Sequence, residues 1–175
     1  MWGVGGVGTH IVQLARLVGA VPVIAVDINP AVLDRAVQVG ADYAFDSRDD
    51  RLHDKIAEIT GGRKLDVAFD AVGLKATFEQ ALDCLTTGGR LVGVGMSAES
   101  PTIGPTAKFG LTRKQVLGHL GYQNVDIETL AKLVSLGRLD LSRSVSEIVS
   151  LEDVVLGIEK LEHRDGNPIR ILVQP

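Results

Sequence analysis

The first half of the chain alternates runs of apolar residues with stretches in which apolar residues recur every three or four positions. Residues 21–26 are almost all apolar, which is typical of a strand buried on both faces of a sheet. After Thr9, apolar residues at positions 11, 14, 15 and 18 follow helical spacing, and Gly19 can end that helix. Strand and helix keep alternating up to Gly95, and this order predicts an α/β fold with a doubly wound parallel sheet.

The same patterns predict the remaining elements. We expect helices at 31–39, at 50–60, across 78–85 and ending at Gly88–Gly89, across 127–134 and ending at Gly137, and from Ser150 onward; strands at 43–46, 65–70, 90–95, 114–120, 145–149 and 169–173; and a loop at 96–110. The side chains predicted to face inward from the helices are Ile11, Leu14, Ala15, Val18, Leu33, Ala36, Val37, Phe78, Ala81, Leu82, Leu85, Ile127, Leu130, Ala131, Val134, Leu151, Val154, Val155, Ile158 and Leu161.

Composition narrows the class of protein. With 175 residues, of which 45% are hydrophobic, the chain can form a well-packed globule. A net charge of −4 argues against a nucleic-acid surface, and no apolar run reaches the roughly 18 residues that predict a membrane span. The single cysteine, Cys84, excludes an intrachain disulfide and a multi-cysteine zinc site in this chain. We therefore expect a cytoplasmic protein that binds neither nucleic acid nor membrane.

The first candidate for chemistry is a glycine motif at the start of the chain. Gly3, Gly5 and Gly8 match G-x-G-x-x-G, and a helix and then a buried strand follow them. In a dinucleotide-binding unit the first glycine permits a tight turn, the second lets the backbone approach a pyrophosphate, and the third packs the helix on the sheet. The helix N-terminus then favours the phosphates electrostatically.

Asp27 is the second candidate, at the end of the strand that follows. It lies about 20 residues beyond the last glycine, which is the spacing expected of an acid that binds the adenosine ribose hydroxyls and repels a 2′-phosphate. The alternative role is a helix cap. Asn29 and Pro30 weaken that alternative because they already suit the N-cap and first helical positions.

Several segments in a fixed order resemble the cofactor-binding half of medium-chain, zinc-type alcohol dehydrogenases. They are residues 3–8, 26–27, 69–73, 88–95 and 166–170. The resemblance covers essentially the whole chain. It implies a Rossmann-type domain at 1–140 and a strand–helix–strand segment at 141–175 that in relatives belongs to the catalytic domain. It also implies that NAD is the cofactor and that a hydride passes between NAD and an alcohol or aldehyde.

The resemblance also implies a set of cofactor-binding residues. By position they are Gly3, Gly5, Gly6, Val7, Gly8, Asp27, Val72, Gly73, Val94, Gly95, Met96, His119, Leu120 and Arg170. Arg170 matches an arginine that reaches the pyrophosphate, although it could instead be an outward residue of an alternating strand. Val32 replaces a lysine found in many relatives, which would weaken adenosine binding. Relatives pair through the strand at 114–120, so a homodimer or homotetramer is expected.

The chain also departs from the family. The domain that carries the zinc ligands is absent, and neither Cys84 nor the histidines have metal-ligand spacing; these are His10, His53, His119 and His163. We therefore expect no catalytic or metal-binding residue here, with zinc only in the absent domain. Only two residues precede Gly3, whereas a strand needs about 5. Ladder groups on two neighbouring strands should then be unpaired, and we expect a fragment or the product of a misplaced start.

Two other interpretations remain open at this point. The chain could come from a zinc-free reductase of the quinone or enoyl type, which usually prefers NADPH. The glycine spacing and Asp27 argue against it. It could also be a non-catalytic nucleotide-binding module, or a methyltransferase-like fold. The second glycine-rich strand end at 93–95 and the segment around Arg170 favour the dehydrogenase.

Overall fold

The computed structural model of the protein describes residues 1–163 and 165–175, and it confirms an α/β architecture with parallel strands. The chain divides into two compact units, residues 1–121 and residues 122–175. The helix predicted across 127–134 therefore belongs to the second unit, whereas the sequence analysis grouped it with the first domain. The predicted division at residue 140 rests on packing in relatives and stays a prediction.

The elements of the first unit follow one another in strict alternation. They are α1 (Gly8–Leu17), β1 (Ile24–Asp27), α2 (Pro30–Gln38), β2 (Tyr43–Asp46), α3 (Leu52–Ile59), β3 (Leu65–Asp70), α4 (Lys75–Asp83), β4 (Leu85–Gly93), α5 (Thr106–Thr112) and β5 (Gln115–Gly118). The second unit contains α6 (Asn124–Ser135), a 3-10 turn (Ser142–Ser144), β6 (Glu147–Ser150), α7 (Val154–His163) and β7 (Ile171–Gln174).

Trp2 lies at the centre of the first unit and joins its two groups of strands. It forms parallel bridges with Val26 of β1 and with Asp70 of β3. Its N–H donates to the carbonyl of Phe69 at 2.8 Å, and its carbonyl accepts the N–H of Ala71 at 2.9 Å. The order is therefore β2–β1–Trp2–β3–β4–β5, which is that of a doubly wound sheet with its central strand reduced to a single bridging residue.

Met1 and Gly3 complete the pairing on the β1 side. The N–H of Val26 donates to the Met1 carbonyl at 2.8 Å, and the N–H of Gly3 donates to the Val26 carbonyl at 2.9 Å. The Met1 amino group donates to the carbonyl of Ile24 at 2.7 Å. The prediction of unpaired ladder groups is therefore wrong for the ends of β1 and β3 that adjoin the glycine motif, because Met1, Trp2 and Gly3 together pair with both neighbours there.

Alternate residues of β1 face two separate cores, one on each side of the sheet. Ile24 and Val26 pack with Trp2 in a cluster that also includes residues of α3 and α4. Val23 and Ala25 pack in a second cluster, with residues of α1 and α2. Helices thus cover both faces of the sheet, and this explains why the strand is apolar up to Asp27 at its carboxyl end.

Several predicted elements differ from the observed ones. Leu85 is in β4 rather than in the preceding helix, and the glycines at 88–89 lie inside β4, where the register with β3 shifts. The predicted loop at 96–110 contains the start of α5. Of the residues predicted to face inward from α1 and α2, Ala36 is fully buried, and Ile11, Ala15 and Leu33 pack against the same core, so these predictions are confirmed. Val18 and Val37 are exposed instead, and Val12 and Val32 are buried core residues that the prediction missed.

The second unit has a small parallel pair of strands, β6 and β7, with α7 against them. A Cβ added at Gly157 of α7 would lie 3.4 Å from side-chain atoms of both Val149 and Ile171. Among the described residues, most of those predicted to face inward from α7 are exposed, including Val155, Ile158 and Leu161. No residue of α6 is buried. No helix among the described residues is long and apolar enough to span a membrane.

Candidate functional site

The glycine motif forms a tight loop that leads from Trp2 into α1. Gly3 has φ +77°, and a Cβ there would lie 2.5 Å from Cγ2 of Val72. A Cβ at Gly8 would lie 2.0 Å from the carbonyl oxygen of Gly3. A Cβ at Gly5 would meet no atom within 4 Å. The first and third glycines are thus required by packing within the chain, while the backbone at the second faces open space.

Thr9 fixes the shape of this loop, and the sequence analysis missed its role. Its side chain is buried, and its Oγ1 lies 2.9 Å from the carbonyl oxygen of Val4 and 2.8 Å from that of Gly5. The Thr9 hydroxyl therefore holds two loop carbonyls on the inner side of the loop. A hydroxyl directly after the last glycine was the only signal in the sequence.

Asp27 lies at the carboxyl end of β1 and contacts the same loop. Its Oδ2 accepts the N–H of Val4 at 2.8 Å, and its Oδ1 accepts the N–H of Asn29 at 3.1 Å. The N-cap of α2 is Asn29, whose side chain accepts the N–H of Ala31, as the sequence predicted. Asp27 is therefore not that cap, and each of its carboxylate oxygens keeps capacity for a further hydrogen bond.

Asp70, at the end of β3, organises two further loops at this edge of the sheet. It is fully buried, and its Oδ1 accepts the N–H groups of Val72 at 3.0 Å and Gly73 at 3.3 Å. Its carbonyl accepts the N–H groups of Val94 at 2.8 Å and Gly95 at 2.9 Å. The sequence analysis quoted this residue within a motif but did not recognise that it holds both loops.

Gly73 and Gly95 bring those two loops into backbone contact. A Cβ at Gly73 would lie 2.6 Å from the carbonyl carbon of Gly95, and a Cβ at Gly95 would lie 2.4 Å from the nitrogen of Gly73. Ser97 adds a hydrogen bond from its hydroxyl to the Gly73 carbonyl at 2.5 Å, while the side chain of Met96 is exposed. Since Gly3 also packs against Val72, the structure brings the loops at 3–8, 71–73 and 94–96 together.

His119 and Leu120 follow β5 and are close to the same edge through the backbone. The N–H of His119 donates to the carbonyl of Gly93 at 3.0 Å, and the side chain of Leu120 is exposed. Arg170 belongs to the second unit, just before β7, and its carbonyl accepts the N–H of Ser146 at 2.8 Å. It directly precedes β7, so its contact with a pyrophosphate and its alternative role as an outward residue of that strand both stay predictions.

Cys84 does not behave as a ligand or nucleophile. It is buried beside β4, and burial raises the pKa of its thiol to about 12, so the thiol stays protonated at neutral pH. Among residues 1–163 and 165–175, no three His, Cys, Asp or Glu side chains group in a way that could hold a metal ion. The prediction that zinc is bound outside this chain stays a prediction.

A charged pair borders the Asp27 end of β1. Arg48 binds Asp46 through both oxygens, with Nη2 to Oδ2 at 2.6 Å and Nε to Oδ1 at 2.9 Å. Its Nη2 also donates to the carbonyl of Ile28 at 3.1 Å. The hydrogen bonds from Arg48 lower the pKa of Asp46 to about 2. The charge of Arg48 is thus already matched by a carboxylate, whereas the guanidinium of Arg35 in α2 interacts electrostatically with Asp27 itself.

The sequence of this chain is similar to a known protein family and to curated alcohol dehydrogenases. A family model described as zinc-binding dehydrogenase matches residues 6–136. The chain is 31% identical to an alcohol dehydrogenase of Cupriavidus necator, with 98% of the chain and 47% of that protein covered. It is 34% identical to an NDMA-dependent alcohol dehydrogenase of Amycolatopsis methanolica, with 97% and 47% covered.

A solved structure shows the same fold. The crystal structure of 2R,3R-butanediol dehydrogenase from Bacillus subtilis matches with a TM-score of 0.89 and 26% identity, covering 99% of the chain and 49% of that protein. The chain therefore spans about half the length of the curated relatives it matches.

Proposed function

The chain belongs to the zinc-binding dehydrogenase family, and we propose that it is the NAD-binding portion of an alcohol dehydrogenase-like oxidoreductase. The proposed reaction transfers a hydride between NAD and an alcohol or aldehyde. The observation that carries the proposal is the loop at 3–8, whose backbone is open at Gly5 and which is bonded directly to Asp27 at the end of β1. The similarity to alcohol, butanediol and sorbitol dehydrogenases supports the reaction class.

The chemistry of the three converging loops supports NAD as the ligand. We assign the pyrophosphate to the backbone at 3–8 and the start of α1, where the open side of Gly5 allows close approach. The carboxylate of Asp27 would accept hydrogen bonds from the adenosine ribose, and the loop at 72–73 would contact the adenosine. We assign the nicotinamide to residues 94–96 and 119–120. NAD, when bound, supplies the acceptor for the hydride.

The charges around Asp27 support NAD over NADP. A second phosphate on the ribose would lie against the Asp27 carboxylate and be repelled by it. An arginine can compensate for such repulsion, but the guanidinium of Arg48 is bound to Asp46, and the charge of Arg35 is offset by the Asp27 carboxylate with which it interacts. This argues against the zinc-free, NADPH-dependent reductase. Val32 of α2, which replaces a lysine of many relatives, is buried in the core, so it offers the adenosine no charged group.

The proposal assigns no catalytic or metal-binding residue to this chain. Activation of an alcohol needs an electrophile such as zinc to stabilise the developing alkoxide. The described residues offer no group of ligands for it. The part of the reaction that we assign to these residues is to bind NAD, to orient it and to select it over NADP.

The test is a calorimetric titration of the purified chain with NAD and with NADP. We expect NAD to bind at least about tenfold more tightly than NADP. Asp27→Asn should narrow that preference, because the amide can still accept the N–H of Val4 but carries no charge. Asp34→Asn, which removes a charge from the exposed surface of α2, is the matched control. Equal or tighter binding of NADP by the unaltered chain would contradict the proposed selectivity, and binding of neither cofactor would contradict the function itself.

A further inference from the structure

A second concave site lies at the amino ends of β3 and β4, at the opposite end of the sheet from the glycine loop. The cavity has a volume of about 520 Å³, which is within the range of sites for small molecules. Its lining residues come from the segments at 62–64, 83–87 and 108–114, together with His53. Since β3 is six residues long, roughly 17 Å of strand separates this cavity from Asp70.

The cavity concentrates positive charge in a chain whose net charge is −4. Four cationic side chains line it, whereas Asp83 is its single acidic lining residue; the cations are Arg63, Lys64, Lys108 and Lys114. Arg63 pairs with Asp66 at 2.8 Å, and Lys108 lies 3.6 Å from Asp83. Two of the four positive charges are thus offset locally.

Lys64 and Lys114 are not offset in this way. Within the described residues neither forms an ion pair with a carboxylate, and each donates to a backbone carbonyl instead. Nζ of Lys114 lies 2.6 Å from the oxygen of Leu82, and Nζ of Lys64 lies 3.4 Å from that of Asp83. These carbonyls end α4, so they position the two ammonium groups but carry only partial charge. Each ammonium has three donors and uses one in these contacts.

The wall of the cavity also offers neutral donors. Thr86 and Thr87 line it, and neither hydroxyl has a hydrogen-bonding partner among the described residues. They lie where three extra residues of β4 interrupt its register with β3, between the pairs Leu65–Leu85 and Val67–Arg90. Irregularities of this kind re-aim side chains and are frequent beside binding sites.

Electrostatic repulsion among the lysines also indicates that the cavity suits an anion. Burial lowers the pKa of Lys114, and the neighbouring charges of Lys64 and Lys108 lower it further, whereas Asp83 acts in the opposite direction. An anion placed between these ammonium groups would remove their mutual repulsion. Capping of the α4 carbonyls alone would require only one cation and no open cavity.

We propose that this basic cavity binds a small anion that carries one or more phosphate groups. Lys64 and Lys114 would supply the charge, and the hydroxyls of Thr86 and Thr87 would donate to phosphate oxygens. The site does not depend on the proposed cofactor role of the glycine loop, because it is built from other segments of the first unit.

The test is an NMR titration of the full chain with inorganic pyrophosphate, in which backbone amide shifts locate the ligand. We expect saturable shifts at Lys64, Thr86, Thr87 and Lys114. The double variant Lys64→Gln/Lys114→Gln should weaken binding by about tenfold or more. The control is Lys132→Gln/Arg138→Gln, which removes the same charge from exposed positions of the second unit and should bind as the unaltered chain does.

Two outcomes would overturn the proposal. One is the absence of saturable shifts at millimolar pyrophosphate and low ionic strength. The other is a set of shifts confined to residues 3–8, with equal affinity in both double variants, which would place the anion at the glycine loop. Retention of the dispersed amide spectrum in the Lys64/Lys114 variant separates loss of binding from loss of folding.

Discussion

The carboxylate of Asp27 accepts the backbone N–H of Val4 at 2.8 Å, so the acid predicted to bind a ribose also holds the glycine loop against β1. A second hydrogen bond, from Asn29 at 3.1 Å, ties the same carboxylate to the start of α2. Substitution of Asp27 therefore changes the loop as well as any ligand contact. The amide variant and the alanine variant of this residue separate the two effects.

We expect Asp27→Ala to lower the free energy of unfolding by about 1–3 kcal/mol, because two partly buried N–H groups lose a charged acceptor. Asp27→Asn should lower the free energy of unfolding by clearly less, since its amide oxygen can still accept the N–H of Val4. Urea denaturation followed by the fluorescence of Trp2 measures both, because Trp2 is the single tryptophan and is buried at the centre of the sheet. Equal stability of the alanine variant and the unaltered chain would show that the two hydrogen bonds contribute little.

The buried amino group of Met1 predicts a pH dependence of stability. Burial lowers its pKa from 8.0 to about 5, while Cys84 and Asp70 act weakly in the opposite direction. In the unfolded chain the group binds a proton below about pH 8, and in the folded chain only below about pH 5. The unfolded state thus holds more protons between these values, so stability should rise with pH from 5 to 8, by about 4 kcal/mol at most.

Acetylation of the Met1 amino group is the control for that prediction. The acetylated nitrogen cannot titrate, but its N–H can still donate to the carbonyl of Ile24. Urea midpoints measured at intervals from pH 5 to pH 8 should rise for the free chain and stay nearly level for the acetylated chain. Parallel curves for the two forms would assign the dependence to other groups.

The edge strand β5 predicts self-association. Among the strands described in the first unit, β5 pairs only with β4, and Val116 and Leu117 on it are more than a third exposed. Such an edge can pair with a second copy of itself. We expect a homodimer in sedimentation experiments and a monomer for Val116→Lys. Leu111→Lys, which adds the same charge at an exposed position of α5, should remain a dimer. A dimer in both variants, or a monomeric unaltered chain, would contradict this assignment.

The sequence predicted best those features that depend on local patterns. The bounds of β2 and β3 match the predictions residue for residue, because their apolar runs are short and clearly bounded. The alternation of elements and the carboxyl-end position of Asp27 were also correct. The interpretation of Leu85 as helical failed because helical spacing continued from α4 into the first residue of β4, and the glycines at 88–89, expected to end a helix, allow an irregular strand instead.

Features that depend on contacts distant in sequence could not be predicted. Nothing near Asp70 indicates that its carbonyl accepts the N–H groups of Val94 and Gly95, more than 20 residues later. The exposed apolar face of α7 shows the same limit, since helical spacing identifies an apolar face but not the extent of its burial. The basic cavity also could not be predicted from the sequence, because its lysines come from separate segments that meet only in the folded chain.

Variants of two glycines in the loop at 3–8 should separate effects on folding from effects on cofactor binding. A methyl group at Gly8 would lie 2.0 Å from the Gly3 carbonyl oxygen, which is backbone and cannot rotate away. Gly8→Ala should therefore lower the free energy of unfolding by about 1–3 kcal/mol or more. A methyl group at Gly5 meets nothing within 4 Å, so Gly5→Ala should change stability by less than about 0.5 kcal/mol.

For NAD affinity we expect the opposite order, with Gly5→Ala the more affected variant. The methyl group of Gly5→Ala would occupy the open side of the loop that we assign to the pyrophosphate, so NAD affinity should fall by about tenfold or more although the fold is intact. Urea denaturation and NAD calorimetry on both variants measure the two effects separately. If Gly5→Ala bound NAD as tightly as the unaltered chain, the pyrophosphate would not approach the loop at this glycine, and the proposed position of NAD on the sheet would be wrong.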